Sequence, residues 1–512
     1  MRLNKSLSLL FFSSIGSCRL TLHLTVLIGI ITVASAVQAA PQKKEIEDSK
    51  ITQAIEQALR RDDAVSSHLI SVVTTDGIVT LDGSVSNILE KNRAEAMAGT
   101  FKGVRSIVNR IDVLPVMRSE TQIRTDVLSA LAADPATESF EIDVDVDAGT
   151  ITLKGNVDSY AEKSLASKVI KGVKGVKNIE NKIEVAFKDG RSDHEIQEEI
   201  ERRLEFDPYI PASLITVDVL EGEVTLKGTV GTARVKTLAY NKAWVAGVED
   251  VDHSKLSVDW WAAAELKRKD PTPEVTDSTI KAAVKDALRY DPRTASFNIN
   301  VKVDNGTVYL NGKVENYEAK RAAEQNARNT VGVNEVDNYL FVKVVSPTDK
   351  EVKSEVLAAL ARDPVLERHE IRPVVRNKKV YLYGEVDSYY EKVHAENVVS
   401  RVNGVAAIQN TLNVPKGWTW ESDQAIMQNI KDEFFWNGNV DRKDIDVSVE
   451  DGIATLKGKV DNWSEYHAAI TNAFDAGART VESELDIAGK NIVDNSTFYF
   501  DYYYYNPDMG MY

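Results

Sequence analysis

The chain has 512 residues, 43% of them apolar and 27% charged, which is the composition of a globular protein. Its formal net charge is -16, and because residues 1–40 hold three cations (Arg2, Lys5, Arg19) and no acid, losing them takes -16 to -19. A summed field of that sign repels phosphate polymers, which argues against nucleic acid as a partner, and it tempers wholesale adsorption to anionic lipid.

Residues 1–39 have the layout of an export signal: early basic residues, an apolar run over 22–36, then Val37-Gln38-Ala39 with small groups where a signal peptidase reads. The reading is a periplasmic protein cleaved after Ala39, since the run is short for a bilayer span. Ile15-Gly16-Ser17-Cys18 resembles a lipoprotein box, but lipid anchoring through Cys18 ranks lower because it would leave the apolar run on the mature chain. Cleavage after Ala39 leaves no cysteine, and so neither disulfide nor thiol chemistry.

From there the sequence repeats six times. The second glycine of a Gly-x-Val-x-Leu-x-Gly-x-Val strand falls at Gly83, Gly155, Gly228, Gly312, Gly384 and Gly458, in steps of 72, 73, 84, 72 and 74 residues. The units read as 47–115, 118–187, 192–260, 275–344, 347–415 and 420–488. The long step holds residues 261–274, charged and with Pro271 and Pro273, which we read as a linker between two triplets.

Each unit opens with an apolar stripe at a spacing of four, such as Ile51, Ile55 and Leu59, or Ile123, Val127 and Leu131, which predicts an amphipathic helix. Asp134-Pro135, Asp207-Pro208, Asp291-Pro292 and Asp363-Pro364 end it, since proline disfavours helical geometry in the residue before it. A short alternating strand and a tight turn follow, the turn carrying Gly77, Gly149, Gly222, Gly306 and Gly452. The fifth unit has Asn377-Lys378 instead, so its turn should be strained or longer.

In the next strand Val79, Leu81, Gly83 and Val85 share one face and Thr80, Asp82 and Ser84 the other, so one side of the sheet is wet. The strand glycine implies close backbone approach or a bulge. A second helix stops at Gly103, Gly175, Gly247, Gly332, Gly404 or Gly477, each supplying a left-handed cap, and a last strand such as 107–113 closes the unit. The predicted class is α+β: a tandem array of six small modules, each helix-strand-strand-helix-strand, with a three-stranded sheet and two helices on one face.

Chemistry-bearing patterns do not recur with the repeat. His23, His68, His194, His253, His369, His394 and His467 fall at different places in their units and make no metal-ligand spacing. The reading is therefore no catalytic residue, no cofactor, no metal and no small-molecule substrate, the glycines above being structural. Tyr160, Tyr317, Tyr389 and Trp463, just after the main strand, are read as stapling the start of the second helix. Trp260, Trp261, Trp418 and Trp420 flank junctions and read as junction packing, while the aromatic-rich tail 489–512 suggests contact with membrane interface, glycan or a partner.

Glycine placement, the strand motif and element order together resemble the BON family over nearly the whole repeat region. Departures are Lys378 in place of the turn glycine, Ala478 after the sixth cap, and a second-helix region one residue shorter in the third and sixth units. The resemblance implies an exported, non-enzymatic envelope protein that attaches to membrane phospholipid or supports other envelope proteins under osmotic or related stress. Six linked copies imply multivalent weak contact by an extended string of modules. The alternatives are a chaperone-like holder of exported proteins and a structural spacer.

Overall fold

The computed structural model describes residues 46–62, 64–137, 140–186, 190–260, 275–344, 346–415, 421–487 and 490–491. The export segment with Ala39 and Cys18, the linker 261–274, Trp261, Trp418, Trp420 and the tail from 492 lie outside them.

The second unit shows how one module forms. Ser119 and Gln122 make a reciprocal capping box that starts helix Glu120–Ala133. Ile123, Val127 and Leu131 form its buried stripe. At Asp134 the chain turns extended ahead of Pro135, and the Asp134 carboxylate accepts the Ala136 N–H at 2.9 Å. Strand Ile142–Asp147 pairs antiparallel with Thr150–Val157 across a two-residue turn. Helix Tyr160–Lys171 then crosses over, and strand Asn178–Val185 returns parallel to the middle strand. Val144, Ile151, Leu153 and Val157 are buried beneath the helices, whereas Asp143, Asp145 and Asp147 are exposed on the opposite face.

The same order recurs in all six units, each a mixed sheet with its middle strand central. In the third the last strand is split into Asp250–Asp252 and Leu256–Val258, and in the sixth Lys490–Asn491 adds an antiparallel edge. The third unit's second helix, Ala233–Ala243, has 11 residues; the sixth's, Trp463–Asp475, keeps 13, so its missing residue falls in the cap loop. The turn at Asn377-Lys378 is strained but not longer: both residues have positive φ (50° and 63°) and Arg376 still pairs with Lys379. It is held because Asp349 accepts both turn N–H groups at 2.8 and 3.1 Å. Asp48, Asp193, Asp277 and Asp423 receive the corresponding turn N–H groups in four other units.

The two helices of a module are buried differently. The first buries one stripe; the second is buried nearly all round, as in Leu165–Lys171 without a break. Such a helix must lie inside something larger than its own module. The residue that opens it reaches the next module. Tyr160 Oη donates to Val248 O at 2.8 Å, with its ring 4.6 Å from Trp244 in the third unit. The third unit closes on the first, where Ala233 joins the core of Ile51 and Leu59, and Ile179 of the second packs against that core.

Units four to six repeat the circuit. Tyr317 N donates to Val405 O at 3.0 Å, Tyr389 stacks on Phe474 at 3.8 Å, and Arg328 of the fourth unit lies 4.3 Å over Trp463 of the sixth. The two rings are joined where first helices end. Lys174 N donates to Arg362 O and Asn403 N to Ala133 O, a reciprocal pair linking units two and five. Lys102 N to Trp436 O links one with six, and Val331 N to Phe206 O links four with three.

The modules therefore form two closed three-membered rings, joined pairwise with the pseudo-symmetry of a dihedral hexamer in a single chain. An extended string is not what forms. Each module alone has too small a core to bury its second helix, and the neighbours complete it. The aromatic residues at the helix start are likewise pegs into the adjacent module rather than staples of their own helix.

Candidate functional site: a cavity between modules

The motif glycines lie in the scaffold. Gly77, Gly149, Gly222, Gly306 and Gly452 have φ of 72–85° in the hairpin turns. Gly103, Gly175, Gly247, Gly332, Gly404 and Gly477 have φ of 84–100° after the second helices. The strand set, Gly83, Gly155, Gly228, Gly312, Gly384 and Gly458, lies at 127–147°, and a Cβ on Gly83 would come 1.9 Å from the carbonyl oxygen of Leu69, the residue just before the adjacent strand. Close backbone approach is thus what the strand position requires.

One recurring residue has a role that the sequence reading credited to the proline after it. Asp62, Asp134, Asp207, Asp291, Asp363 and Asn437 stand at the end of the first helix, and each accepts the N–H two residues on at 2.9–3.0 Å. In five units the remaining side-chain atom of this residue meets the second helix: Arg93 on Asp62 at 2.6 Å, Lys242 on Asp207 at 2.9 Å, Asn326 on Asp291 at 2.9 Å, His394 on Asp363 at 2.7 Å, and Asn437 on Asn472 at 3.1 Å. The residue locks the two helices of a module together, and this explains the polar groups buried inside the second helices.

Of the histidines, His394 is spent in such a contact. His467 is buried, and desolvation, aided by the nearby Arg328 cation, pushes it down to about 3, so the ring is uncharged at neutral pH. His369, Asp387 and Glu391 approach one another as metal ligands might. The Arg368 guanidinium binds both carboxylates, however, and so holds the place a cation would take.

A cavity of about 870 Å³ opens where units two, three and four meet, with Ile88 and Glu95 of the first at its edge. Its floor is the second helix of unit two, on which Tyr160, Ser164, Lys168 and Lys171 follow one helical stripe. Tyr240 and Trp244, 6.0 Å apart edge to face, supply a wall from unit three. Opposite stands Tyr290 of unit four, beneath the Arg203 guanidinium at 4.0 Å. Arg202 and Asp286, 3.4 Å apart, tie units three and four at the rim.

The lining holds seven cationic side chains and three carboxylates, an inverted balance in so acidic a chain. Arg203 pairs with Glu199 at 2.7 Å and Arg293 with Asp291 at 2.6 Å. Burial pushes Lys163 below the usual ammonium range, with Glu184 opposing the shift. Two buried donors on lining residues, Trp244 Nε1 and Arg203 Nε, have no hydrogen-bond acceptor. A module-by-module reading could not find this site, because its walls come from different repeats.

Comparison with known proteins agrees with the repeat. The BON domain matches residues 47–115, 119–186, 192–259, 276–344, 348–416 and 422–489. The chain is 30% identical over 143 residues to the Osmotically-inducible protein Y of Escherichia coli (strain K12), spanning 27% of this chain and 71% of that protein. It is 27% identical over 144 residues to the Outer membrane lipoprotein DolP of Haemophilus influenzae, spanning 26% and 72%. A solved structure of the C-terminal domain of CdsD, the structural protein of the Type III secretion system of Chlamydia trachomatis, aligns at 15% identity and a TM-score of 0.12, over 44% of this chain and 100% of that one. With six matched segments that together cover most of its length, the chain belongs to the BON domain family.

Proposed function

We propose that this is a non-enzymatic envelope protein that, exported to the periplasm, protects against osmotic or related stress by many weak contacts with phospholipid membrane or envelope proteins. The observation that carries the reading is BON membership in all six units, with relatives named as osmotically inducible and as an outer membrane lipoprotein. No helix among the described residues is long and apolar enough to cross a membrane, so attachment is read as peripheral.

The rings leave the outer sheet faces and one side of each first helix for partners, as at Asp143, Thr216 and Asp218. Rings fix the spacing of these surfaces, which raises effective concentration without the entropy cost of a flexible string. Co-sedimentation with phosphatidylethanolamine–phosphatidylglycerol vesicles at two salt concentrations tests this. Recovery that changes with salt is expected. Suppression of client aggregation with no vesicle recovery would instead favour a holder of exported proteins.

A further inference from the structure

We infer that the cavity between units two, three and four binds one anionic amphiphile, an apolar chain carrying a single carboxylate or phosphate head group. The inference goes beyond surface attachment and is independent of it. About 870 Å³ lies within the range of small-molecule sites, which combine mostly apolar walls with a few placed polar groups. Aromatic rings from three modules provide the walls here, with Tyr160 against Trp244 and Tyr290 opposite.

The sign of the head group follows from the charges. Arg202, Arg203, Lys242 and Arg293 have carboxylate partners at 2.6–3.4 Å. The second helix of unit two adds Lys163, Lys168 and Lys171 to the same wall. In a chain of net charge -16, this lining carries seven cations against three carboxylates, a balance opposite in sign to that of the whole. A neutral apolar ligand would make no use of the cationic lining, and a free inorganic anion would leave the aromatic walls empty.

The test uses the full chain and a fluorescent fatty acid, 11-(dansylamino)undecanoate, below its critical micelle concentration. One probe per chain is expected, displaced by oleate or by oleoyl-lysophosphatidylglycerol about tenfold more strongly than by monoolein, which has the same chain and a neutral head. Whichever acid competes better identifies the head group, and inorganic phosphate alone should displace only weakly. Lys163→Gln should weaken the probe about 3–10-fold with unchanged melting temperature, the loss of one hydrogen bond to a charged group. Equal displacement by monoolein, binding of several probes per chain, or no saturable binding would each overturn the inference. Vesicle binding can succeed or fail separately, because it needs no monomeric amphiphile.

Discussion

Glu318 stands at the second position of helix Tyr317–Arg328, 3% exposed, with neither carboxylate oxygen hydrogen-bonded. Arg401 Nε lies 4.0 Å away. Desolvation, reinforced by the Asp134 and Asp291 carboxylates, pushes the Glu318 carboxyl up to about 8, while Arg401 and Arg293 pull it back. The folded chain therefore keeps a proton that the unfolded chain releases near 4.5. Stability from this group is complete below about pH 4.5 and is lost as pH rises towards 8. The interval from 4.5 to about 8 corresponds to about 5 kcal/mol as an upper limit, and sharing of the proton with Asp134 brings this to roughly 3–5 kcal/mol. Glu318→Gln keeps the shape and removes the titration. The variant should match the parent near pH 4.5 and exceed it increasingly up to pH 8.5. At about 1 °C per kcal/mol for a unit of this size, the gap in melting temperature should open by about 3–5 °C. A gap that stays constant from pH 5 to 8.5, or that closes, would refute the assignment of a buried protonated carboxyl.

The strand glycines give a graded test. A Cβ on Gly83 would meet Leu69 O at 1.9 Å but one on Gly312 meets Asn298 O at 2.9 Å, so Gly83→Ala should cost more than 3 kcal/mol and clearly more than Gly312→Ala in thermal unfolding. Tyr389 and Phe474 lie parallel at 3.8 Å across units five and six, and a double-alanine cycle should return a coupling of about 0.5–1.5 kcal/mol; zero coupling would deny the peg. Arg93 is buried between Asp62 at 2.6 Å and Asp475 at 3.4 Å, joining units one and six, and Asp62→Ala should destabilise by about 3–5 kcal/mol by leaving a buried cation. The double variant Asp62→Leu with Arg93→Met should recover much of that loss in the same melting assay.

The module was legible because its signals are local. Ile123, Val127 and Leu131 mark a stripe, Ala148-Gly149 a hairpin and Gly175 a cap, all within one repeat, and each appears as expected. The assembly was not legible, because periodicity reports which face is buried and not what buries it. The polar residues of the second helix disguised its burial: Arg93 and His394 look solvated until Asp62 and Asp363, 31 residues earlier, are placed against them. One signal was available. Proline was credited with ending the first helix, yet units one and six end it at Asp62 and Asn437 without proline, so the recurring feature is the Asx residue itself.

Building a dihedral arrangement from one chain rather than six identical ones frees each joint to differ. The opening position of the second helix is Ile88, Tyr160, Ala233, Tyr317, Tyr389 and Trp463 in turn, so the pegs range in size from alanine to tryptophan. Tyr317 and Trp463 are driven fully into their neighbours, at 5% and 3% exposure, and in the second ring the cores of units four and six merge. In the first ring the cores stay separate except that Ala233 of unit three joins that of unit one, and Tyr160 rests half-buried on Trp244 at the joint of units two and three. The 870 Å³ cavity lies at this looser joint, with the lysines of the unit-two helix on its wall. An exact hexamer could not hold such a space once without repeating it at every equivalent joint. Copying a module six times and then letting the copies diverge thus gives a rigid frame from the shared residues and one singular site from the differences.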